Sequence, residues 1–378
     1  MINEISRREF VKGASLVAIA AAAGGPLSPA EATPSEAMIP TARGDTVAAS
    51  KLGMVLPTEL IIQESPEISI NWPDNSWGAK PEAEQIAKVV AILNAAHAGG
   101  VGTILDRTIP GIGRNVPRMK QIAQQTKLNI LVCTGFYTLY ELPYYFHYRQ
   151  EFPGQYPNQL KLEDFLARDI EKGIRDTGVR ACAIKVISDK YGIEETPDVG
   201  RVFKASSIAH RRTGAPLVTH GVGIVDGRRH QKVFASHGVN LSRVVLGHQD
   251  RTPPSVSLEE FERALDAGSF LSFDGWGPAG PNPVASDPAG PEQNLQRVAS
   301  LVKKGYVKQI LLSGGWPIAF YDVFSDDFMP EDGIKPYMRV AHQVIPGLKA
   351  LGVSDSQIAE MTHGNPQRML SSLAQGGY

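Results

Sequence analysis

Short apolar runs rich in valine, isoleucine and leucine alternate with longer amphipathic stretches along most of this 378-residue chain. Such alternation is typical of β/α units arranged around a parallel sheet. Because eight parallel strands close a barrel, the pattern predicts a single-domain (β/α)8 TIM barrel over residues 51–378. The eight predicted strands are Met54 to Ile62, Val101 to Asp106, Asn129 to Thr134, Ala181 to Val186, Pro216 to His220, Arg243 to His248, Ser269 to Asp274 and Gln309 to Ser313.

The stretches between these strands carry apolar residues at helical spacing, and several of them end at glycines. They predict helices over Glu82 to Ala98, Val116 to Thr126, Leu160 to Thr177, Val199 to Arg212, Leu258 to Ala267 and Leu295 to Lys304. Two further helices, Tyr337 to Leu351 and Asp355 to Ser371, are expected to complete the chain.

The amino terminus has the features of an export signal. Arg7-Arg8 precedes an apolar run from Gly13 to Ala23, and small residues at Ala30-Glu31-Ala32 suit a cleavage site. The apolar run is shorter than the ~20 residues that a membrane span needs, so no stable membrane anchor is expected. We predict a twin-arginine signal peptide over residues 1–32, export to the periplasm, and a linker over residues 33–50.

The charge balance and the cysteine content limit the classes of partner. Lys and Arg number 38 against 39 Asp and Glu, so no strong field attracts nucleic acid or an anionic membrane. A small neutral or apolar substrate is therefore expected. Cys133 and Cys182 lie in strand-like runs, and two cysteines do not make a disulfide framework, so we predict buried free thiols.

Ionisable residues stand at the carboxyl ends of several predicted strands, where a barrel places its active site. Lys185, His220 and His248 are the leading candidates. As an ammonium, Lys185 would repel a metal ion, so it must be carbamylated, deprotonated by burial or used as a Schiff-base amine. Asp106 and Asp274 are further catalytic candidates that could bond a histidine or contact substrate, and the alternative is a capping carboxylate at a strand-to-helix turn.

Aromatic residues follow three of the predicted strands. Tyr137 comes after the third strand, Trp276 after the seventh and Trp316 after the eighth, and we predict that they line an apolar substrate pocket. The aromatic residues around Tyr137 also suit a subunit interface, so a homodimer stays open.

In this order, six segments carry a resemblance to a known family: Gly111-Ile112-Gly113-Arg114-Asn115-Val116, Thr134-Gly135-Phe136-Tyr137, Ile184-Lys185-Val186, Val218-Thr219-His220, Leu246-Gly247-His248 and Gln309-Ile310-Leu311-Leu312-Ser313. From about Leu52 to Leu370, the chain resembles the phosphotriesterase family of amidohydrolase-like, metal-dependent hydrolases. The resemblance implies two divalent metal ions, usually zinc, bridged by a carbamylated lysine that matches Lys185. It also implies that His220 and His248 complete the ligands of one ion.

The ligands implied for the other ion are missing. The resemblance implies a His-x-His in strand one and an aspartate ending strand eight, but this chain has Thr58, Leu60 and Gly315 there. Leucine and glycine offer no side-chain donor, and a threonine hydroxyl is a poor zinc ligand. Glu59 could enter the site only through a register shift or a bulge.

Together these residues predict an exported hydrolase of an ester, lactone or phosphotriester. At most one divalent metal ion, zinc, would be held by carbamylated Lys185, His220 and His248. Two alternatives stay open. One is a metal-free enzyme, such as a lyase or a Schiff-base enzyme, that uses Lys185, and the other is a non-catalytic binding protein on a degenerate hydrolase barrel.

Overall fold

A computed structural model of the protein describes residues 36–72, 81–138, 141–151, 161–188, 196–276, 289–315, 319–320, 323–324, 334–335 and 337–378. Eight parallel strands form one sheet in sequence order, which confirms the predicted (β/α)8 barrel. They are β1 (Met54–Glu59), β2 (Val101–Asp106), β3 (Asn129–Gly135), β4 (Ala183–Ile187), β5 (Leu217–His220), β6 (Val244–Leu246), β7 (Phe270–Phe273) and β8 (Ile310–Leu312).

A helix follows each of the first seven strands, and these helices surround the sheet. They are α1 (Glu82–Ala98), α2 (Val116–Gln124), α3 (Leu162–Glu171), α4 (Pro197–Thr213), α5 (Ile224–Ser236), α6 (Leu258–Asp266) and α7 (Gly290–Lys303). The sequence pattern missed α5 because Gly227, His230 and Gln231 occupy part of its buried face, where apolar residues would have given the helical period.

Shorter elements complete the description. Helices also span Pro66–Asn71, Tyr144–Glu151, Ile345–Ala350, Asp355–Ala359 and Asn365–Ser371, with π-helical turns at Val340–Val344 and Glu360–Gly364. Strands Ile62–Gln63, Ala319–Phe320 and Val323–Phe324 form a small second sheet. Within the described ranges, no helix combines the length and the apolar composition that crossing a bilayer requires.

The barrel interior changes character along its axis. Val55, Leu105, Cys133, Val218 and Val245 belong to one buried apolar cluster, in keeping with the branched residues that usually fill such barrels. Nearer the carboxyl ends of the strands, the buried side chains are charged or polar: Thr58, Glu59, Arg107, Lys185, His248, Ser272, Asp274 and Ser313. Polar groups are costly to bury, so their concentration at one end marks that end as the candidate site. Cys133 and Cys182 are buried free thiols, as predicted.

Strand β1 contains a bulge just before its carboxyl end. Leu56 pairs with Ile104 and Glu59 pairs with Asp106, so three steps along β1 match two steps along β2. The bulge supplies the register shift that Glu59 needs to enter the barrel mouth. There, Glu59 Oε1 accepts hydrogen bonds from Ser313 Oγ, at 2.6 Å, and from the Gly314 N–H. Glu59 thereby links β1 to β8 across the barrel seam.

The linker prediction for residues 33–50 is wrong from residue 36 onward. Strands Met38–Pro40 and Thr46–Ala48 pair as an antiparallel hairpin. Ile39 and Ala42 are fully buried, and Ala42 N–H donates to Ile130 O at 2.7 Å. The segment looked like a linker because two strands of three residues are too short to show a period in the sequence. The predicted signal peptide lies outside the described residues.

Arg43 anchors this hairpin to the amino-terminal end of β3. Its guanidinium donates to Ala123 O at 3.0 Å, Asn129 Oδ1 at 3.2 Å, Thr126 O at 3.0 Å and Leu128 O at 2.9 Å. Because Arg43→Met leaves these acceptors without a donor, we expect the free energy of unfolding to fall by about 2–3 kcal/mol in urea denaturation. Arg263→Met is the control, because the side chain of Arg263 forms exposed ion pairs with Glu259 and Glu260. Equal stability losses in both variants would contradict the anchoring role.

Candidate active site

Lys185, His220 and His248 converge at the carboxyl ends of β4, β5 and β6. Lys185 and His248 are buried, whereas His220 is partly exposed at the mouth. The Nδ1 atom of His220 lies 2.7 Å from Nε2 of His248, and the two rings meet edge to face. Two imidazole nitrogens that approach so closely can bind one metal ion or share one proton.

Asp274 orients His248 from the side opposite His220. Its Oδ1 lies 2.6 Å from His248 Nδ1, and its Oδ2 accepts from the His248 backbone N–H at 3.3 Å. With Nδ1–H directed at a carboxylate, Nε2 keeps its lone pair for the mouth. His248 also has φ 55°, a left-handed backbone conformation that is uncommon for a residue with a side chain and that is often found at functional sites.

The surroundings keep both imidazoles neutral. Burial, assisted by the nearby Arg251, lowers the pKa of His248 to about 3 even though Asp274 opposes the shift. Loss of water around the ring, together with His248, lowers the pKa of His220 well below its ordinary value. Burial alone would raise the pKa of Asp274, but His248 and Arg107 hold it below the usual range. An anionic Asp274 behind two neutral imidazoles is the protonation pattern of a metal-ligand set.

Asp250 completes a second buried group behind His248. Its Oδ1 accepts from the Asp274 backbone N–H at 3.0 Å. Burial and the neighbouring charge of Asp274 raise the pKa of Asp250 well above its ordinary value, which favours the protonated carboxyl. Donor atoms of His248, Asp250 and Asp274 all lie within 4.8 Å of one another. Because Asp274 already contacts His248 and Asp250 holds Asp274, we interpret this group as the support for His248.

In the part of the chain that the structure describes, the other half of the centre has no such ligand set. The Thr58 hydroxyl lies 3.0 Å from Ser272 Oγ, and Leu60 packs partly buried against the apolar cluster of the barrel. Gly315 has φ 68°, and a Cβ there would lie 2.2 Å from Asp274 O. An aspartate at this position would therefore require a different backbone, so this half has been rebuilt as well as stripped of ligands.

Arg107 is the buried site residue that the sequence reasoning missed. Its Nη2 donates to Thr58 O at 2.6 Å, and its backbone N–H donates to Glu59 O at 2.9 Å. The alternation of β2 offered the signal, because Leu105 belongs to the interior cluster and Arg107 lies two residues further on. The guanidinium thus adds a permanent positive charge to the rebuilt half of the mouth.

The remaining predicted site residues occupy different surroundings. Tyr137 lies in the mouth, its ring centroid 5.5 Å from Lys185 Nζ. Asp106 instead caps the turn after β2: its Oδ1 accepts from Ile61 N–H at 3.0 Å and from Thr108 Oγ1 at 2.7 Å. Asp106 also lines a cavity with Val116 and Met119 of α2, on the outer side of the sheet, which favours the capping alternative.

The structure does not show either of the two tryptophans predicted for the substrate pocket in an open pocket. Trp276 is fully buried, and its indole N–H donates to Phe273 O at 3.0 Å. The prediction that Trp276 lines an open pocket is therefore wrong, because its side chain lies in the apolar core. The physical reason is that the indole finds both apolar contacts and a hydrogen-bond acceptor there. Trp316 lies outside the described residues.

The buried carboxyl of Glu59 should make the free energy of unfolding depend on pH. Burial raises its pKa to about 7, against the hydrogen bonds from Ser313 and Gly314. Since the folded state holds this proton more tightly than the unfolded state, the stability it supports is present at pH 4.5 and is lost as pH rises through 7. We expect Glu59→Gln, which retains an acceptor oxygen, to remove a decline of up to about 3 kcal/mol between these pH values in urea melts. An unchanged decline in the variant would exclude Glu59 as its source.

The fold and the site define a class of protein: a parallel barrel with histidines and a buried lysine converging at the carboxyl ends of its strands. Residues 37–370 match the model of the phosphotriesterase family, and the chain belongs to this family. It is a divergent member, without the strand-one His-x-His and the strand-eight aspartate of the resemblance.

Known proteins support this assignment over nearly the whole chain. The "Phosphotriesterase homology protein" of Mycobacterium tuberculosis is 37% identical, over 89% of this chain and 98% of that protein. The "Aryldialkylphosphatase" of Saccharolobus solfataricus is 26% identical, over 88% of this chain and 99% of its own length. The solved phosphotriesterase from Mycobacterium tuberculosis superposes with a TM-score of 0.78 at 35% identity, covering 90% of this chain and 100% of the other.

Metal-dependent chemistry is typical of the family, and the two halves of the mouth differ in how well they suit an ion. His220 Nδ1 and His248 Nε2 share a hydrogen bond of 2.7 Å beside buried Lys185, and both become ligand atoms when His220 carries its hydrogen on Nε2 instead. With Asp274 behind His248, the donor chemistry of this half fits one divalent ion. The half formed by Thr58, Leu60 and Gly315 does not fit an ion. Its donors are lost, and the Arg107 guanidinium hydrogen-bonds to Thr58.

Proposed function

We propose that this protein is an exported hydrolase that acts on an ester, a lactone or a phosphotriester with one divalent metal ion, zinc. Carbamylated Lys185, His220 and His248 would hold the ion. The convergence of His220 Nδ1 and His248 Nε2 to 2.7 Å, on adjacent strand ends, carries the proposal. Relatives with hydrolytic names support the reaction class, since the "N-acetyltaurine hydrolase" of Dictyostelium discoideum is also similar, at 25% identity over 74% of this chain and 72% of that protein.

When bound, such an ion supplies Lewis acidity and lowers the pKa of a coordinated water toward ~7. The residues of the chain prepare the site for it. The uncharged Lys185 amine adds carbon dioxide and loses a proton to give a carbamate. The carbamate offers an anionic oxygen donor, whereas an ammonium at the same place would repel a metal ion. Asp274 keeps the proton of His248 on Nδ1, so that Nε2 stays available. Tyr137 lies over Lys185 at the mouth and gives the substrate an aromatic wall.

Zinc uptake tests this proposal. Chelated protein reconstituted with zinc and bicarbonate is expected to retain about one zinc per chain by elemental analysis and to hydrolyse at least one of an aryl ester, a lactone or a diethyl aryl phosphate. His248→Asn should lose both properties. His210→Asn is the matched control, because His210 is also buried but bonds Ala215 O and Tyr378 OH away from the mouth. If the wild-type protein stays metal-free after reconstitution, the proposed zinc-dependent reaction is excluded.

One observation favours the metal-free alternative. Lys185 is buried with its Nζ 5.5 Å from the Tyr137 ring centroid, and a desolvated lysine beside apolar groups is the form that Schiff-base enzymes use. A free Lys185 amine could then form a Schiff base with a carbonyl substrate. Borohydride added during turnover would trap an adduct on Lys185 in this case, whereas the zinc-dependent reaction leaves none.

Export rests on the sequence of the signal segment. Fractionation of a bacterial host with a working twin-arginine pathway is expected to place the wild-type protein in the periplasm. Replacing both Arg7 and Arg8 with lysine should retain it in the cytoplasm, while Lys12→Arg in the same segment should be exported normally. Periplasmic accumulation of the double variant would exclude this route.

A further inference from the structure

Arg107 has more hydrogen-bonding capacity than the described protein uses. The side chain is 1% exposed. Its Nη2 donates to Thr58 O, but Nε and Nη1 are buried and have no hydrogen-bond partner. A Cβ placed on Gly247 would lie 3.5 Å from Nη1, so this donor borders β6 across the mouth. Buried donors rarely remain unsatisfied, and those of a guanidinium are especially costly, so these two donor nitrogens point to an absent acceptor.

Glu59 has an unused hydrogen-bond acceptor that complements the unused donors of Arg107. Its Oε1 accepts from Ser313 and Gly314, whereas Oε2 is buried and has no hydrogen-bond partner among the described residues. Glu59 and Asp274 are the carboxylates whose charges act most strongly on Arg107. Asp274 is already engaged with His248. Two free donors and one free acceptor therefore share one end of the barrel.

These groups lie on the side of the mouth where metal ligands are missing. Arg107 is tied to the carbonyl of Thr58, and Glu59 is held against Ser313 and Gly314, next to Gly315. A guanidinium and a divalent cation repel each other strongly at close range in a poorly solvated site. The positive charge of this half is thus supplied by the chain itself.

We propose that Arg107 and Glu59 replace the missing half of the metal centre as an oxygen-binding pair. Arg107 donates Nε–H and Nη1–H to an anionic oxygen of the ligand, and Glu59 Oε2 accepts a hydrogen from a hydroxyl on the same ligand. The tetrahedral adduct of hydroxide and an ester carbonyl carries both groups, because the former carbonyl oxygen becomes the oxyanion and the added oxygen keeps its hydrogen as a hydroxyl. This inference rests on the proposed hydrolytic function and assigns the oxyanion to Arg107.

Inorganic phosphate and sulfate distinguish such a pair from a general anion site. Both are tetrahedral dianions at about pH 8, but only phosphate retains an O–H that can face Glu59 Oε2. Calorimetric titration of chelated, metal-free protein is expected to show phosphate binding at least about tenfold tighter than sulfate, because sulfate meets an unpaired carboxylate. Glu59→Gln places an amide donor at this position and should abolish the preference by strengthening sulfate binding.

Arg107→Met should weaken phosphate binding about tenfold or more, since the guanidinium hydrogen bonds are charge-assisted. Arg297→Met is the matched control. Arg297 is also a buried arginine, but it donates to Thr252 O and Pro253 O, so phosphate affinity should stay unchanged. Wild-type protein that binds neither anion, or binds both equally, would overturn the proposal without need of any variant. The titration is run without metal, so its outcome is separate from that of zinc reconstitution.

Discussion

Lys185→Ala is expected to remove bound zinc and to lower kcat/KM for the best ester, lactone or phosphotriester substrate on the order of a thousandfold or more. The physical reason is that two neutral imidazoles, His220 and His248, cannot by themselves supply the third, anionic ligand of a catalytic zinc site. Elemental analysis and kinetics on the same preparation measure the two losses together. The effect on stability should be small or favourable, because a buried titratable side chain is removed.

Asp274→Asn should reduce zinc affinity less than Lys185→Ala does. Asparagine keeps the shape of Asp274 but weakens its hold on His248 Nδ1, so we expect a loss of about 10- to 100-fold in zinc affinity. The order of severity, with Lys185→Ala above Asp274→Asn, separates a ligand from the group that orients a ligand. Full activity in Lys185→Ala would contradict both the zinc-dependent reaction and the Schiff-base alternative.

Gly315→Asp is expected to destabilise the protein by about 3 kcal/mol or more and not to create a second metal site. Gly315 has φ 68°, which residues with side chains rarely adopt, and its new Cβ would lie 2.2 Å from Asp274 O. The backbone of Asp274 would have to move, which also disturbs its contact with His248. Thermal unfolding and zinc stoichiometry measure the two consequences.

Gly352→Asp separates steric conflict from backbone preference. Gly352 has φ 86°, but beyond its two chain neighbours no atom of the described residues lies within 4 Å of the position of its Cβ. Its replacement should therefore show only the conformational cost, about 1–2 kcal/mol. A Gly315→Asp variant that is as stable as Gly352→Asp and binds two zinc ions would show that the first half-site was merely stripped of its ligand.

The sequence was sufficient for the fold because the barrel repeats one signal. The barrel strands are short, largely apolar runs and most helices have a clear apolar face, so errors in single bounds did not change the topology. The amino-terminal hairpin and α5 escaped prediction for local reasons. The hairpin strands span three residues each, and polar side chains occupy part of the buried face of α5.

The candidate site was predictable where strand ends alone decide position and unpredictable where register or packing decides it. Lys185, His220 and His248 follow directly from strand ends. Glu59 enters the mouth only because of the bulge between Leu56 and Glu59. Arg107 follows from strand alternation in principle, but its role depends on unsatisfied donors, which are visible only in three dimensions.

Trp276 and Asp106 illustrate the opposite error, in which a residue at a strand end is drawn away from the mouth. The Trp276 indole packs in the core and donates to Phe273 O. Asp106 accepts from Ile61 and Thr108 and so caps a turn. In both cases local hydrogen bonds, which strand position does not reveal, determine the direction of the side chain.

We infer that the barrel holds one metal ion in one half of its mouth and an arginine–glutamate pair in the other half. A crystal structure of zinc- and bicarbonate-reconstituted protein, with an anomalous-scattering map at the zinc edge, distinguishes this arrangement from a two-metal and from a metal-free centre. We predict one peak per chain, bounded by carbamylated Lys185, His220 and His248, with Arg107 still bonded to Thr58 O. Two peaks per chain, or no peak beside His248, would exclude this arrangement.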